Sequence, residues 1–405
     1  MISINEKILL SIGAIYFIAG TLSAVFVNVY LYAFTGSLYA MTAYAIVRFG
    51  MFPIGFVLGG TLSKKLNLSR VLSTGLLIIV TALAFLLGFN RYFEQTPMLI
   101  YSLGIIFGIG EGLYWFSISA LNLTASTKES RGKFVMTQGI LNSSATVIAP
   151  FVATQIVAFS SSDTMGYIRI FQVVIVLQSL AAFLSTRVNL AKIEMNIVYK
   201  DKFNFKQDAQ WRYIMFNHFF LGIRDSLTLV LTGLLVYNAT GGSGSAYGNL
   251  LTVFALINVA SNFVASRMIK RNNRMISYVL ASFILFSSTM ILVLSPNLMG
   301  AIYFGVTNAL AVPFYVNPFM IISMNALSDY IAKENIYARL IIKEFSLNAG
   351  RVLGMLVILL FSRLFSESYS MIFGVTFSSS FTIILALYAN AYHKKRDALK
   401  HSGLS

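Results

Sequence analysis

Apolar residues run along this chain in twelve stretches of membrane-spanning length, each bounded by short polar connections. About 20 consecutive apolar residues are needed for a helix to cross a bilayer. The stretches are Lys7–Tyr32, Leu38–Leu62, Val71–Phe89, Pro97–Leu121, Phe134–Phe159 and Ile168–Thr186, followed by Trp211–Tyr237, Tyr247–Met268, Ile276–Ser295, Leu298–Ala326, Leu340–Phe361 and Met371–Tyr392. The pattern predicts an all-α integral membrane protein with 12 transmembrane helices. The first stretch imitates a secretion signal, with Lys7, an apolar run and the small residues AGTLSA. The run then continues through VFVNVYLY, so it reads as an uncleaved first helix.

The connections alternate in charge. One set carries Lys64, Lys65 and Arg70, then Lys128, Arg131 and Lys133, then Arg267, Lys270, Arg271 and Arg274, then Lys333, Arg339 and Lys343. The other set is nearly free of Lys and Arg, as in AFTGS and NATGGSGSA. Basic loops stay on the cytoplasmic side. Both termini are therefore expected in the cytoplasm, in a cell membrane, as an even number of spans requires. The net charge of +16 becomes a topology signal and a contact for anionic lipid head groups. No basic loop is long enough for a nucleic-acid-binding domain. The rest of the composition agrees: 57% of residues are hydrophobic and only 11% charged, against roughly 25% in soluble domains. Without cysteine, and with only three histidines, thiolate and His-rich metal sites are not expected.

The spans divide six and six around the longest cytoplasmic connection, which holds mixed charges. The boundaries are residues 1–186 for a first bundle, 187–210 for a cytoplasmic linker, 211–392 for a second bundle and 393–405 for a cytoplasmic tail. The halves echo each other at an offset of about 205 residues. AFTGS answers NATGG, IYSLG answers IYFGV, and QGILN answers EFSLN. Such internal symmetry is the mark of two homologous bundles.

Between the second and third spans lies GGTLSKKLNLSRVL, Gly59 to Leu72. It resembles the most specific motif of the major facilitator superfamily, roughly GGxLADRxGRKRVL. Gly59, Gly60, Leu62, Lys65, Arg70, Val71 and Leu72 fit. Lys64 stands where the family has an acid that latches the two halves, and Asn67 where it has glycine. In the fifth span, ATVIAPFVAT is similar to the Gly-Pro motif of exporters, with Ala149-Pro150 in place of the pair. The resemblance covers the whole chain. It implies two pseudo-symmetric six-helix bundles rocking about a site near mid-membrane. In that family the first, fourth, seventh and tenth spans line the cavity, and the second, fifth, eighth and eleventh form the seam between the halves.

A charge at mid-membrane costs at least about 2.5–3.5 kcal/mol, so deep charges are candidates for function. Arg48, Glu111, Arg224, Asp225 and Arg351 are such residues, with Glu344 shallower. Glu111 sits in FGIGEGLYW, flanked by Gly108, Gly110 and Gly112, where backbone or ligand can approach closely. Trp115 follows one turn on, so carboxylate and ring form a candidate site for a cationic or amphipathic ligand. The same carboxylate is suited to carry a proton, or to pair with Arg48. Arg224 and Asp225 are adjacent and point about 100° apart, so each is expected to find its partner elsewhere. His218 reads as a hydrogen-bonded packing residue. Pro313 and Pro318, with Asn308 and Asn317, make the tenth span a candidate gate, because two prolines free backbone carbonyls that need other donors. Gln138 and Asn142 add candidate hydrogen bonds. Gly60, Lys65, Arg70 and Pro150 complete the gating and structural set.

There is no Gly-rich phosphate loop with its lysine, and no catalytic cluster, so no cofactor and no enzymatic activity are expected. The first reading is a monomeric, proton-coupled exporter of a small amphipathic compound. A second is uptake or flipping of an anionic metabolite or lipid, suggested by the three deep arginines. A third is a transport-inactive sensor or assembly partner, suggested by Lys64.

Overall fold

The computed structural model describes residues 3–89, 92, 93, 96, 98–126, 131–190, 208–270, 272–328 and 336–401, and their regular structure is helical. Helix α1 (Ile4–Thr35) opens on a capping box, in which Glu6 N–H donates to Ser3 Oγ and Ser3 N–H to Glu6 Oε2. It closes on Gly36, whose φ of 62° is the left-handed conformation that suits glycine. Then come α2 (Leu38–Leu62), α3 (Leu68–Phe89), α4 (Met98–Ala125), α5 (Arg131–Ala158) and α6 (Asp163–Ser185). Asn5 and Asn189 exchange two hydrogen bonds, 2.8 and 3.1 Å, tying the start of α1 to the chain beyond α6.

The seventh span departs from the single helix expected. It consists of α7 (Ala209–Leu227), a π turn at Thr228–Thr232 and α8 (Gly233–Ala239). Two threonines bound the turn, and the Thr232 hydroxyl donates to the Thr228 carbonyl, drawing that side chain onto the backbone at the irregular turn. The remaining helices are α9 (Gly244–Met268), α10 (Arg274–Leu294), α11 (Leu298–Ser328), α12 (Ile336–Leu364) and α13 (Glu367–His401). Helix α13 runs through HKKRDALKH, where the sequence suggests only a polar tail. Lys, Arg, Ala and Leu all favour helix, and no Gly or Pro interrupts them. Among the described residues, eleven helices are long and apolar enough to cross a membrane, and the interrupted α7–α8 segment occupies the place of the seventh expected span.

The chain divides into two compact units, Met1–Ile197 with Gly242–Thr252, and Val198–Gly241 with Val253–Ser405. Within the first, α1 packs on α5 and α6, and α3 on α4 and α6. Within the second, α7 packs on α12 and α13, and α10 on α11 and α13. These four pairings recur at corresponding places in the two units, as a duplicated bundle requires, whereas the close backbone packing of α2 on α4 has no equally close counterpart between α9 and α11 among the described residues.

Small residues set the tightest seams. A Cβ at Gly108 or Gly112 of α4 would collide with the α2 carbonyls of Arg48 and Phe52, and one at Gly104 would lie 3.0 Å from the Tyr44 carbonyl. In the second unit, Gly222 of α7 is closed by the Leu347 carbonyl of α12, and Gly350 of α12 by the Phe219 carbonyl of α7. Without a strong hydrophobic drive between helices in lipid, this close backbone approach supplies the dispersion contacts that hold them together.

Candidate functional site

The first cluster forms where α4 crosses α2. Arg48 Nε donates to Glu111 Oε2 at 2.8 Å and Nη2 to Oε1 at 2.6 Å, a bidentate pair. The two side chains are 12% and 16% exposed. The Arg48 guanidinium also sits 5.5 Å from the Phe107 ring centre and 5.9 Å from Tyr44. The glycines around Glu111 serve this crossing. Gly108 and Gly112 bring in the α2 backbone, while Gly110 faces Gly75 and Ile79 of α3. The room that the sequence offers to a ligand is thus filled by neighbouring helices, and the cation at Glu111 is Arg48.

Trp115 is half-buried in an aromatic group shared with α1. Its ring meets Tyr16 and Phe17 edge-on at 5.8 and 6.1 Å, and Tyr16 stacks on Tyr114 at 3.4 Å. Tyr16 lies within electrostatic range of both Glu111 and Arg48, so this aromatic group borders the ion pair.

In the second unit, Arg224 and Asp225 correct the expectation drawn from their adjacency. Arg224 Nη1 donates to Asp225 Oδ1 at 2.9 Å. The long guanidinium arm reaches around the helix, which a short side chain would not do. Arg224 also lies over the Tyr315 ring of α11 at 5.0 Å, so the pair is held against the proline-bearing helix. A second adjacent pair, Lys343 and Glu344 of α12, closes at 2.8 Å. Arg351 Nη1 donates to Asn348 Oδ1 at 3.2 Å. His218 Nδ1 meets the Ile214 carbonyl at 2.7 Å with its ring packed near Phe319, in keeping with a packing role.

Helix α11 carries the clearest device. A proline at position i leaves the carbonyl at i−4 without its amide donor. Pro313 frees Ala309 O, and Asn258 Nδ2 of α9 donates to it at 3.2 Å. Pro318 frees Phe314 O, and Ser277 Oγ of α10 donates to it at 3.4 Å. The neighbouring Leu310 carbonyl accepts from Ser261 at 2.6 Å. Asn317 Nδ2 donates to Asn262 Oδ1, and Asn262 Nδ2 to Asn258 Oδ1, at 3.2 and 3.0 Å. Sequence alone pairs the prolines with Asn308 and Asn317. It does not point to Asn258, Ser261, Asn262 and Ser277, although Asn258 and Asn262 stand one turn apart in a mostly apolar run.

Among the gating residues, Gly60 is buried at the end of α2, and its carbonyl accepts from Ser63 at 2.8 Å. Lys65 and Arg70 are exposed around the α2–α3 turn. Pro150 is buried within α5, where its carbonyl accepts from Thr154. In the same helix Asn142 Oδ1 is buried without a hydrogen bond among the described residues.

The path of the chain matches a set of solved membrane transporters. A bacterial homologue of the iron transporter ferroportin, inward-facing, superposes with a TM-score of 0.71 at 13% identity, covering 96% of this chain and 99% of that one. The nucleoside transporter NupG gives 0.70 at 14% identity over 96% and 99%. A bacterial homologue of the lysosomal transporter Spinster gives 0.68 at 12% identity over 96% of each. The chain has the major facilitator fold. No family model matches the sequence. An uncharacterised Bacillus subtilis protein, YqgE, is 28% identical over 375 residues, 90% of this chain and 85% of its own length. An uncharacterised Geobacillus stearothermophilus protein is 31% identical over 166 residues, 40% of this chain and 75% of its own, and the chain belongs to one family with it. Within the major facilitator fold, Arg48 and Glu111 lie on the second and fourth spans, and the proline device on the tenth.

Proposed function

We propose that this chain is a secondary transporter that moves a small amphipathic solute across the membrane by alternating access. The fold supports transport as the activity. The observation that supports coupling to protons is the bidentate Arg48–Glu111 pair, deep in apolar helices. A buried carboxylate that takes up a proton releases its arginine, and an arginine so released recruits another anion. One proton and one anionic group on the solute are thereby made to compete for Arg48. The solute is therefore assigned an anionic group beside its apolar body. The Ala149–Pro150 run in α5 supports export as the direction.

The test is flux in proteoliposomes. Wild-type protein should accumulate solute against its gradient when a proton gradient is imposed. Glu111→Gln should lose accumulation but keep exchange at equal concentrations. Gradient-driven accumulation by well-folded Glu111→Gln protein would sink the proton role.

A further inference from the structure

We propose that the groove between α9, α10 and α11 is a binding site for an anionic phospholipid of the surrounding bilayer, with an acyl chain along the groove and the phosphate at its basic end. The groove encloses about 510 Å³ and is lined by Met268, Ile276, Leu280, Ile284, Leu310 and Phe314, among others. A cavity of about 150 Å³ already holds a benzene, so there is room for a flexible hydrocarbon tail. Met268, Ile276, Leu280 and Leu310 are all more than half exposed, so the groove is an open slot and not an enclosed cavity. At hydrocarbon depth such a wall is covered by lipid, because water there is excluded.

The end of the groove explains why one class of lipid is chosen. Asn273 lines it and ties the α9–α10 turn together: Lys270 N–H donates to Asn273 Oδ1 at 2.7 Å, and Asn273 Nδ2 to the Met268 carbonyl at 2.9 Å. That turn holds Lys270 exposed beside Arg267, itself exposed and lying 4.0 Å over the Phe263 ring. Arg274 follows at the start of α10, and its Nε is buried with no hydrogen bond among the described residues. A buried, unanswered guanidinium donor calls for an acceptor, and a phosphate oxygen is one. Three cations carried by or flanking the turn whose Asn273 lines the apolar slot complement an anionic head group joined to a hydrocarbon tail.

The floor of the groove gives this site a consequence. Ser277, Leu310 and Phe314 line it, and they carry the hydrogen bonds that satisfy the proline-bearing helix. A tail seated there presses on the break in α11. The proposal rests on the membrane-spanning fold and not on the transport reading, and its test needs no flux.

The experiment is fluorescence quenching by brominated lipids. Leu280→Trp places a reporter in the groove, and the signal of Trp115 and Trp211 is subtracted using the unsubstituted protein. Vesicles contain increasing fractions of dibromo-acyl phosphatidylglycerol, or of the matching phosphatidylcholine. Each basic group at an anionic surface is worth about a fivefold change in partitioning. Half-quenching should therefore need a severalfold smaller fraction of phosphatidylglycerol than of phosphatidylcholine. Arg274→Gln, or Lys270→Gln if the first does not fold, should remove most of that difference. Superimposed curves for the two lipids would show an ordinary lipid annulus and overturn the proposal. So would loss of the preference on adding inorganic phosphate, which would make the site one for a free anion.

Discussion

Asn258 donates to the carbonyl that Pro313 leaves without a partner. The Ala309 oxygen lies 3.2 Å from Asn258 Nδ2, so a side chain on α9 replaces a backbone amide missing from α11. The break in α11 is thereby answered by a contact that separates whenever the two helices move apart.

Removing that donor should therefore cost stability only while the proline is present. Asn258→Ala is expected to destabilise the protein by about 0.6–2 kcal/mol, the range for interhelical hydrogen bonds in membranes. In a Pro313→Ala background, where the helix regains its own amide, the same change should cost close to nothing. Thermal unfolding of the two single variants and the double variant gives the coupling directly. Equal losses in both backgrounds would break the proposed link.

The Arg48–Glu111 pair makes a sharper test. Glu111→Gln leaves a buried guanidinium without its carboxylate and should cost about 3–5 kcal/mol. Arg48→Gln added to it should restore much of the loss. Stability and flux measured on the same variants separate a purely structural pair from a proton carrier, because only the carrier loses accumulation while keeping exchange in the Glu111→Gln protein that remains folded.

The glycines divide into two kinds. Gly108→Ala and Gly112→Ala drive a methyl into the α2 carbonyls and should each cost about 1–3 kcal/mol, the range for overpacking. Gly88→Ala in α3 and Gly139→Ala in α5 meet nothing within 4 Å, and should stabilise by roughly 0.5–1 kcal/mol through helix propensity. Melting curves of the four variants check both signs.

If the solute carries an anionic group, Arg351→Gln should abolish its transport in protein that still folds. Arg351→Lys should restore only part, since a lysine offers a point charge where arginine offers a fork. Solute uptake assays at matched protein levels measure this, and full activity of Arg351→Gln would remove that arginine from the solute site.

The spans and their duplication were legible because bilayer thickness imposes a length and composition that few other constraints mimic. Deep charges were legible for the same reason, and Arg48 and Glu111 were found from hydropathy alone. Their partners followed less well. Adjacent residues such as Arg224 and Asp225 look mispaired on an ideal helical wheel, yet a guanidinium arm spans the angle. The glycines around Glu111 read as room for a ligand because a sequence does not show which helix packs against that face. Asn258 and Asn262 are not legible in sequence, because helical asparagines become informative only when the carbonyl they serve is known.

The π turn at Thr228–Thr232 adds a residue to one turn of the seventh span. It therefore works as a phase slip. Every position in Gly233–Ala239 is rotated, by about the 100° that one residue contributes, relative to where an unbroken helix from Arg224 and Asp225 would place it. Deleting one residue within the turn would let the span rewind as a single α-helix. The charged face of α7 and the face of α8 that carries Leu234 and Leu235 would then no longer both meet their present neighbours. The extra residue acts as a vernier that sets two faces of one span independently, and its loss should be felt at both ends.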